Sequence, residues 1–138
     1  MKLTEDIHEL LDICDTIKFM KNCKVEPERF LIYMKQGISA KTLFPYVEYR
    51  DGVLKGCVIL QLTRDLNPGL TLTGVWCWID KHSPKLFVKI IKLVNKLAID
   101  LGVNRITICT QRNADAVLRK LDRYGYEARY TIFEKEIK

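Results

Sequence analysis

Leu70-Thr71-Leu72-Thr73-Gly74-Val75-Trp76-Cys77-Trp78-Ile79, followed by Asp80-Lys81-His82-Ser83-Pro84-Lys85 and then by Leu86 through Leu101, is the stretch that decides the fold. The first ten residues alternate, with Trp76 and Trp78 on one face and Val75, Cys77 and Ile79 on the other, which predicts a long strand. Leu86, Phe87, Ile90, Ile91, Val94, Leu97, Ala98 and Leu101 recur at three- and four-residue spacing. They predict a helix with a wide apolar face, capped by Ser83, opened by Pro84 and stopped at Gly102. The same alternation then repeats. Arg105 to Thr110 reads as a short strand, and a helix from Asn113 turns Val117, Leu118, Leu121 and Tyr124 inward before Gly125 ends it. Tyr126 to Ile137 reads as a last strand or bent pair of strands.

Upstream the pattern differs. Thr4 reads as the cap of a first helix to about Lys21, with an apolar stripe of Ile7, Leu10, Leu11, Cys14, Ile17 and Met20. Glu5 and Asp6 at its start and Lys18 and Lys21 at its end suit the helix dipole. Pro27 opens a second helix that Gly37 is expected to end, with Phe30, Leu31, Tyr33 and Met34 as its buried side. Leu43–Arg50 and Val53–Thr63 are strand-like and flank Asp51-Gly52, the dipeptide of a two-residue type I′ hairpin turn. Pro45 suggests an edge or strand entrance, Gly56 a bulge, and Asn67-Pro68-Gly69 a turn.

At 138 residues, with 48% hydrophobic and 29% charged content, the chain is expected to form one domain over residues 1–138 with a real core. No apolar run approaches a membrane span, and the acidic start lacks the layout of a signal peptide, so the expected location is the cytoplasm. Five scattered cysteines offer no C-x-x-C pair, and Cys57, Cys77 and Cys109 sit in apolar runs, so structural thiols are expected and no metal site. A net charge of +6 favours anionic partners: nucleic acid, phosphorylated cofactors or an acidic protein surface.

Two helices, a three-strand meander, then strand-helix-strand-helix-strand resembles the GNAT superfamily of acyl-CoA-dependent N-acetyltransferases, and the element order covers nearly the whole chain. Tyr49-Arg50-Asp51-Gly52-Val53-Leu54-Lys55-Gly56-Cys57-Val58 is similar to that family's second hairpin. Asn113-Ala114-Asp115-Ala116, continuing to Tyr124-Gly125-Tyr126, is similar to its "N-x-x-A … G-F" segment, and Leu3-Thr4-Glu5-Asp6 to an abbreviated first strand and helix entry. The resemblance implies an α+β fold of order (β)ααβββαβαβ(β), a mixed and mostly antiparallel sheet, and parallel fourth and fifth strands.

It also implies chemistry. An acetyl-CoA pyrophosphate would rest on backbone N–H groups at the turn into the third helix, where the family carries two glycines. Here that turn has none, and Pro84 lacks an N–H. Lys81, His82, Ser83 and Lys85 are left to attract an anion, with pantetheine on the backbone of Trp78 and Ile79 and on Asn113. The expected reaction is acyl transfer to a primary amine. The family's strand-four carboxylate position holds Trp76, Cys77 and Trp78, which leaves Asp80 and then Glu48 as candidate bases. The position four residues before the closing glycine, where many members keep an acidic Tyr, is Leu121. Tyr124 is the tyrosine at hand.

Each of these residues has a plainer alternative. Trp76 and Trp78 pack a core or interface, His82 is a surface residue, Asn113 caps the last helix, and Lys85, Lys89, Lys92 and Lys96 form a solvated helical face rather than a phosphate-binding one. At the level of function the alternative is a non-catalytic structural or host-interaction protein. Some internal virion proteins of tailed phages resemble GNAT domains with the same lost glycines, and such a protein would reside in the host cytoplasm or virion. A basic nucleic-acid-associated module is the third reading. A homodimer through the tryptophan face or the final strand is also open.

Overall fold

The computed structural model describes residues 1–19, 24–64, 66, 68–110, 114–129 and 133–137. A five-stranded sheet runs in the order β1 (Lys2–Leu3), β2 (Leu43–Arg50), β3 (Val53–Arg64), β4 (Leu70–Ile79), β5 (Arg105–Ile108). The first three pairings are antiparallel and β4 runs parallel to β5. Helices α1 (Ile7–Lys18) and α2 (Pro27–Ser39) precede β2, α3 (Leu86–Leu101) makes the β4–β5 crossover, and α4 (Ala114–Leu121) leads into a 3-10 turn at Asp122–Tyr124.

Both faces of the sheet are buried. On one face, Leu10, Ile13 and Cys14 of α1 and Phe30 and Met34 of α2 pack on Leu43, Val47, Cys57 and Ile59. On the other, Ile90, Val94 and Ala98 of α3 pack on Val58, Leu60 and Leu72. Cys57, Val58, Ile59 and Leu60 thus alternate between two cores, which is why β3 reads as a continuous apolar run. Each fully buried aliphatic side chain contributes about 1.5–3 kcal/mol, so the two-sided centre of the sheet anchors the fold.

Turn chemistry falls where the sequence puts it. Asp51 and Gly52 both have positive φ, 51° and 74°, as a type I′ turn requires. Beside Gly56 the β2–β3 register slips, Glu48 facing Gly56 and Tyr49 facing Leu54, so Lys55 is the extra residue of a bulge. Gly102 caps α3 in the left-handed region at φ 66°.

Several expectations are corrected. Asp6, not Thr4, caps α1 by accepting from the Glu9 amide, while the buried Thr4 hydroxyl accepts from the Asp6 amide and donates to the Glu9 carboxylate. Ile13 is fully buried, whereas Ile7 is exposed. Helix α2 runs past Gly37 to Ser39; that glycine is needed because a Cβ there would land inside the Leu43 side chain, so it marks close helix–strand packing and not a helix stop. Tyr33 is half exposed.

Helix α3 begins at Leu86 with Lys85 at its cap position, because Ser83 and Pro84 are held in the preceding turn. Strand β5 ends at Ile108, leaving Cys109 exposed, and Cys77 is exposed as well, so burial covers only Cys14 and Cys57 of the described thiols. Tyr124 is exposed and not turned inward. The described residues 126–129 and 133–137 form no strand, with Phe133 and Ile137 exposed. The expected final strand is therefore absent from those residues. Among the described residues no helix is long and apolar enough to cross a membrane.

Candidate active-site cleft

Strand β4 changes character halfway along. Its ladder with β5 has four residue pairs and stops at Gly74↔Ile108. At the same place the β3–β4 register slips: Ile59 faces Trp76 and Leu60 faces Gly74, so Val75 is the extra residue of a second bulge. A bulge bends its strand and increases its twist. Beyond it, Val75–Ile79 continue along β3 with no β5 partner in the ladder. Thr73 and Thr107 join side chains at 2.8 Å just before the parting point, and Asn104 ties the start of β4 to β5 through Leu70.

Antiparallel pairing fixes which peptide groups face the opening. The Asp80 amide donates to the Lys55 carbonyl at 2.9 Å, so Asp80/Lys55 is a hydrogen-bonded pair, and Trp78/Cys57, two residues along, is another. Trp78 therefore turns its peptide groups toward β3. Those of Cys77 and Ile79 point to the edge where β5 has ended. Of these two residues, then, Ile79 turns its peptide groups to that edge and Trp78 turns them to β3.

The tryptophan side chains lie on the α1 face. Trp76 donates from Nε1 to the Thr16 hydroxyl at 2.9 Å, and that hydroxyl donates to the Ile13 carbonyl at 2.7 Å. Thr16 also sits 3.7 Å from the Cys57 sulfur, whose thiol burial pushes up to about 12. Cys57 is thus an inert packing residue. Trp78 lines an open groove of about 340 Å³ with Asp12, Asp15, Thr16, Phe19 and Val53. Beside it, the Tyr49 phenol donates to Asp12 at 2.5 Å, and burial together with that carboxylate raises its pKa far above the ordinary value. The acidic rim comes from i, i+3 spacing on the polar side of α1 and was not singled out by sequence reasoning.

On the opposite face, Glu48, Gly56 and Ile79 form one row across three strands. The tip of α3 sits over it: a Cβ on Gly56 would meet Leu86 Cδ1 at 2.8 Å. The structure brings Glu48, Asp80, Ser83 and Lys85 to this end of the sheet, but their polar groups are largely committed. Glu48 Oε1 accepts from Lys89 and from the Met1 amino group, while Oε2 is buried with no hydrogen-bond partner among the described residues. The Lys89 ammonium holds the Glu48 carboxyl below its usual range against the opposing effect of burial. A carboxyl held ionised is a weak base. Asp80 Oδ2 accepts from the His82 amide at 3.2 Å and lies 3.9 Å from Lys55 Nζ, so Asp80 braces the turn.

That turn has no amide cradle of the expected kind. The Leu86 amide donates to Ser83 O at 3.1 Å and the Phe87 amide to Pro84 O at 3.2 Å, so two donors at the helix tip bond back into the turn. His82 and Lys85 are exposed and Ser83 is buried. Tyr124 is elsewhere, beside Ile91, Lys92, Asn95 and Tyr126. Asn113 lies outside the described residues.

Taken together, a mixed five-stranded sheet, the β4–α3–β5 crossover and a bulged, half-open β4 define the GNAT fold of acetyltransferases. The particular likenesses are to a transcriptional regulator from Bacillus halodurans (TM-score 0.80, 13% identity, covering 99% of this chain and 100% of that one), to an acetyltransferase of Trypanosoma brucei (0.76, 9%, 99% and 97%), and to the aminoglycoside acetyltransferase AAC(6')-Iy in complex with the bisubstrate analog CoA-S-monomethyl-acetylneamine (0.75, 13%, 99% and 97%). At these identities the likeness is one of fold. No family model matches the chain, and no curated protein matches it by sequence.

Proposed function

We propose that the protein transfers an acyl group from an acyl-CoA, with acetyl-CoA as the expected donor, to a primary amine, with the pantetheine arm lying along the open edge of β4. The observation that carries this reading is the end of the β4–β5 ladder at Gly74↔Ile108 behind the Val75 bulge. The peptide groups of Ile79 on that edge suit an amide of pantetheine, and an edge N–H near the bulge would polarise the thioester carbonyl. The neighbour that holds a CoA bisubstrate analog supports this use of the fold.

The amine nitrogen attacks the acyl carbon, the carbon–sulfur bond breaks, and the thiolate leaves. The proton lost by the ammonium passes to water, because Glu48 and Asp80 are already engaged. Asp12 and Asp15 beside Trp78 offer a negative approach for a cationic amine. The pyrophosphate fits less well than the pantetheine. With Pro84 in the turn and the Leu86 and Phe87 amides already bonded, it relies on the side chains of Lys81, His82 and Lys85.

That same turn favours a second reading, a non-catalytic structural or host-interaction protein on the scaffold, of the kind found inside some phage virions. Thermal unfolding with and without millimolar acetyl-CoA separates the two. Binding far above Kd stabilises by ~2–4 kcal/mol, seen as several degrees, and thiol release should follow on adding a polyamine or basic peptide. An unchanged midpoint together with no thiol release defeats the enzyme reading and leaves the scaffold one.

A further inference from the structure

The charge of this chain is segregated. Residues 81–125 hold ten Lys and Arg against three Asp, while the rest of the chain is close to neutral. Residues 4–19 carry Glu5, Asp6, Glu9, Asp12 and Asp15 against Lys18 alone. The two excesses lie on different elements: the acidic one on α1, the basic one on α3 and α4 with their flanking turns.

Along α3, Lys85, Lys89, Lys92 and Lys96 share one face at spacings of four, three and four residues. Lys89 is committed to Glu48, while Lys85, Lys92 and Lys96 are exposed. Lys85 to Lys96 spans about 16 Å of helix axis, the length of about five stacked nucleotides at ~3.4 Å each. Helix α4 meets a different side of α3: Lys120 Nζ stands 5.7 Å from the ring centre of Phe87, a residue about half a helical turn away from the lysines. Arg119, Lys120 and Arg123 are exposed, but on that other side, so the stripe itself is the four lysines of α3 and its cap.

A basic face alone attracts any anion, but this one also carries aromatic rings. Between α3 and the 3-10 turn is a pocket of about 170 Å³ lined by Ile91, Lys92, Asn95, Tyr124 and Tyr126. Its lining residues bring two phenol side chains, an isoleucine, an amide able to donate and accept, and a lysine. Tyr124 is exposed and Tyr126 half-buried there. Stacking platforms set in a cationic track are how sequence-tolerant single-strand binders are built.

We infer that the lysine face of α3, with the 3-10 turn beside it, binds single-stranded nucleic acid, with a base held against Tyr124 and Tyr126 and the backbone phosphates on Lys92 and Lys96. The pocket lies on the second and third turns of α3, away from the β4 cleft that opens at its tip, so this binding stands or falls independently of acyl transfer.

The test is fluorescence anisotropy of a labelled oligo-dT or oligo-U strand with the full chain over a series of salt concentrations. Affinity should fall steeply with salt. The double substitution Lys92→Gln/Lys96→Gln should weaken binding by tenfold or more and flatten the salt slope. Tyr124→Ala should weaken it at least about fivefold with the slope unchanged. Thermal unfolding verifies that each variant is folded, and Tyr124→Phe, which keeps the ring, should restore affinity.

No binding at low salt overturns the inference. So does a Tyr124→Ala variant that binds like the wild type, since the patch is then a general anion surface. Equal competition by polyglutamate or by phosphatidylserine vesicles at matched charge assigns the face to an acidic protein or a membrane instead. Displacement of the strand by acetyl-CoA assigns it to the nucleotide end of the thioester.

Discussion

The two halves of β4 make the most instructive comparison in the molecule. Leu70–Gly74 is paired on both edges, by β3 and β5, and there Thr71 and Leu72 are buried. Among the described residues Val75–Ile79 is paired in the ladder on one edge, by β3, and there Val75 and Cys77 are exposed and Trp76, Trp78 and Ile79 half-buried. The same strand therefore serves as core in its first half and as a cleft wall in its second. One extra residue at Val75 and the end of β5 at Ile108 make the difference. A fold can open a ligand edge in the middle of a sheet without exposing its core, provided the bulge falls where the parallel partner stops.

The sharpest way to break this contrast is a pair of truncations. Leu72→Ala, at a fully buried site, should cost about 2–5 kcal/mol in urea unfolding. Val75→Ala, on the open half, should stay within about 0.5 kcal/mol. Equal costs would mean that the second half is as enclosed as the first.

Next in size is Gly56→Ala. The new methyl would meet Leu86, which is almost wholly buried, and overpacking of this kind costs about 1–3 kcal/mol. A neutral result would move the α3 tip off the Glu48–Gly56–Ile79 row. Trp76→Phe then tests the tether of the open half to α1. It removes the bond to Thr16 while that hydroxyl keeps its bond to the Ile13 carbonyl, so a loss of about 1 kcal/mol is expected.

The smallest effect is electrostatic. Lys89 lowers the Glu48 pKa in the folded state, so the pair's stabilisation is fully present above the unfolded value near 4.5 and is lost as pH falls through the lower folded value. Glu48→Gln should therefore flatten the acid side of a stability–pH curve. An unchanged acid limb would mean that the Lys89 contact does not form in solution.

Much of this was legible in the sequence because it is local. The Asp51-Gly52 turn, the bulge beside Gly56, the end of α3 at Gly102 and the placement of Trp76 and Trp78 on one face all depend on a residue's own conformational range or on a period of two. The candidate site was legible only in outline. Asp80 and Glu48 do reach the tip of α3, yet the partners that occupy them, Lys55 and Lys89, are distant in sequence or lie on another element. Tyr124 was misplaced for a related reason: a 3-10 turn replaces the last turn of α4 and carries that ring outward. The final strand was expected over Tyr126–Ile137, but its described residues, 126–129 and 133–137, form none, since a β-prone segment still needs a partner edge to pair with.

By itself the sequence determined the order of elements, the turns between them and the absence of a glycine at the α3 entrance, since propensity and turn chemistry act over a few neighbouring residues. Tertiary structure alone decided where β5 stops following β4, which peptide groups face the opening, and that the amides at the α3 tip bond back into the turn. Those features depend on the direction of each N–H and C=O once strands far apart in the chain have been brought into register, and no local pattern encodes that direction.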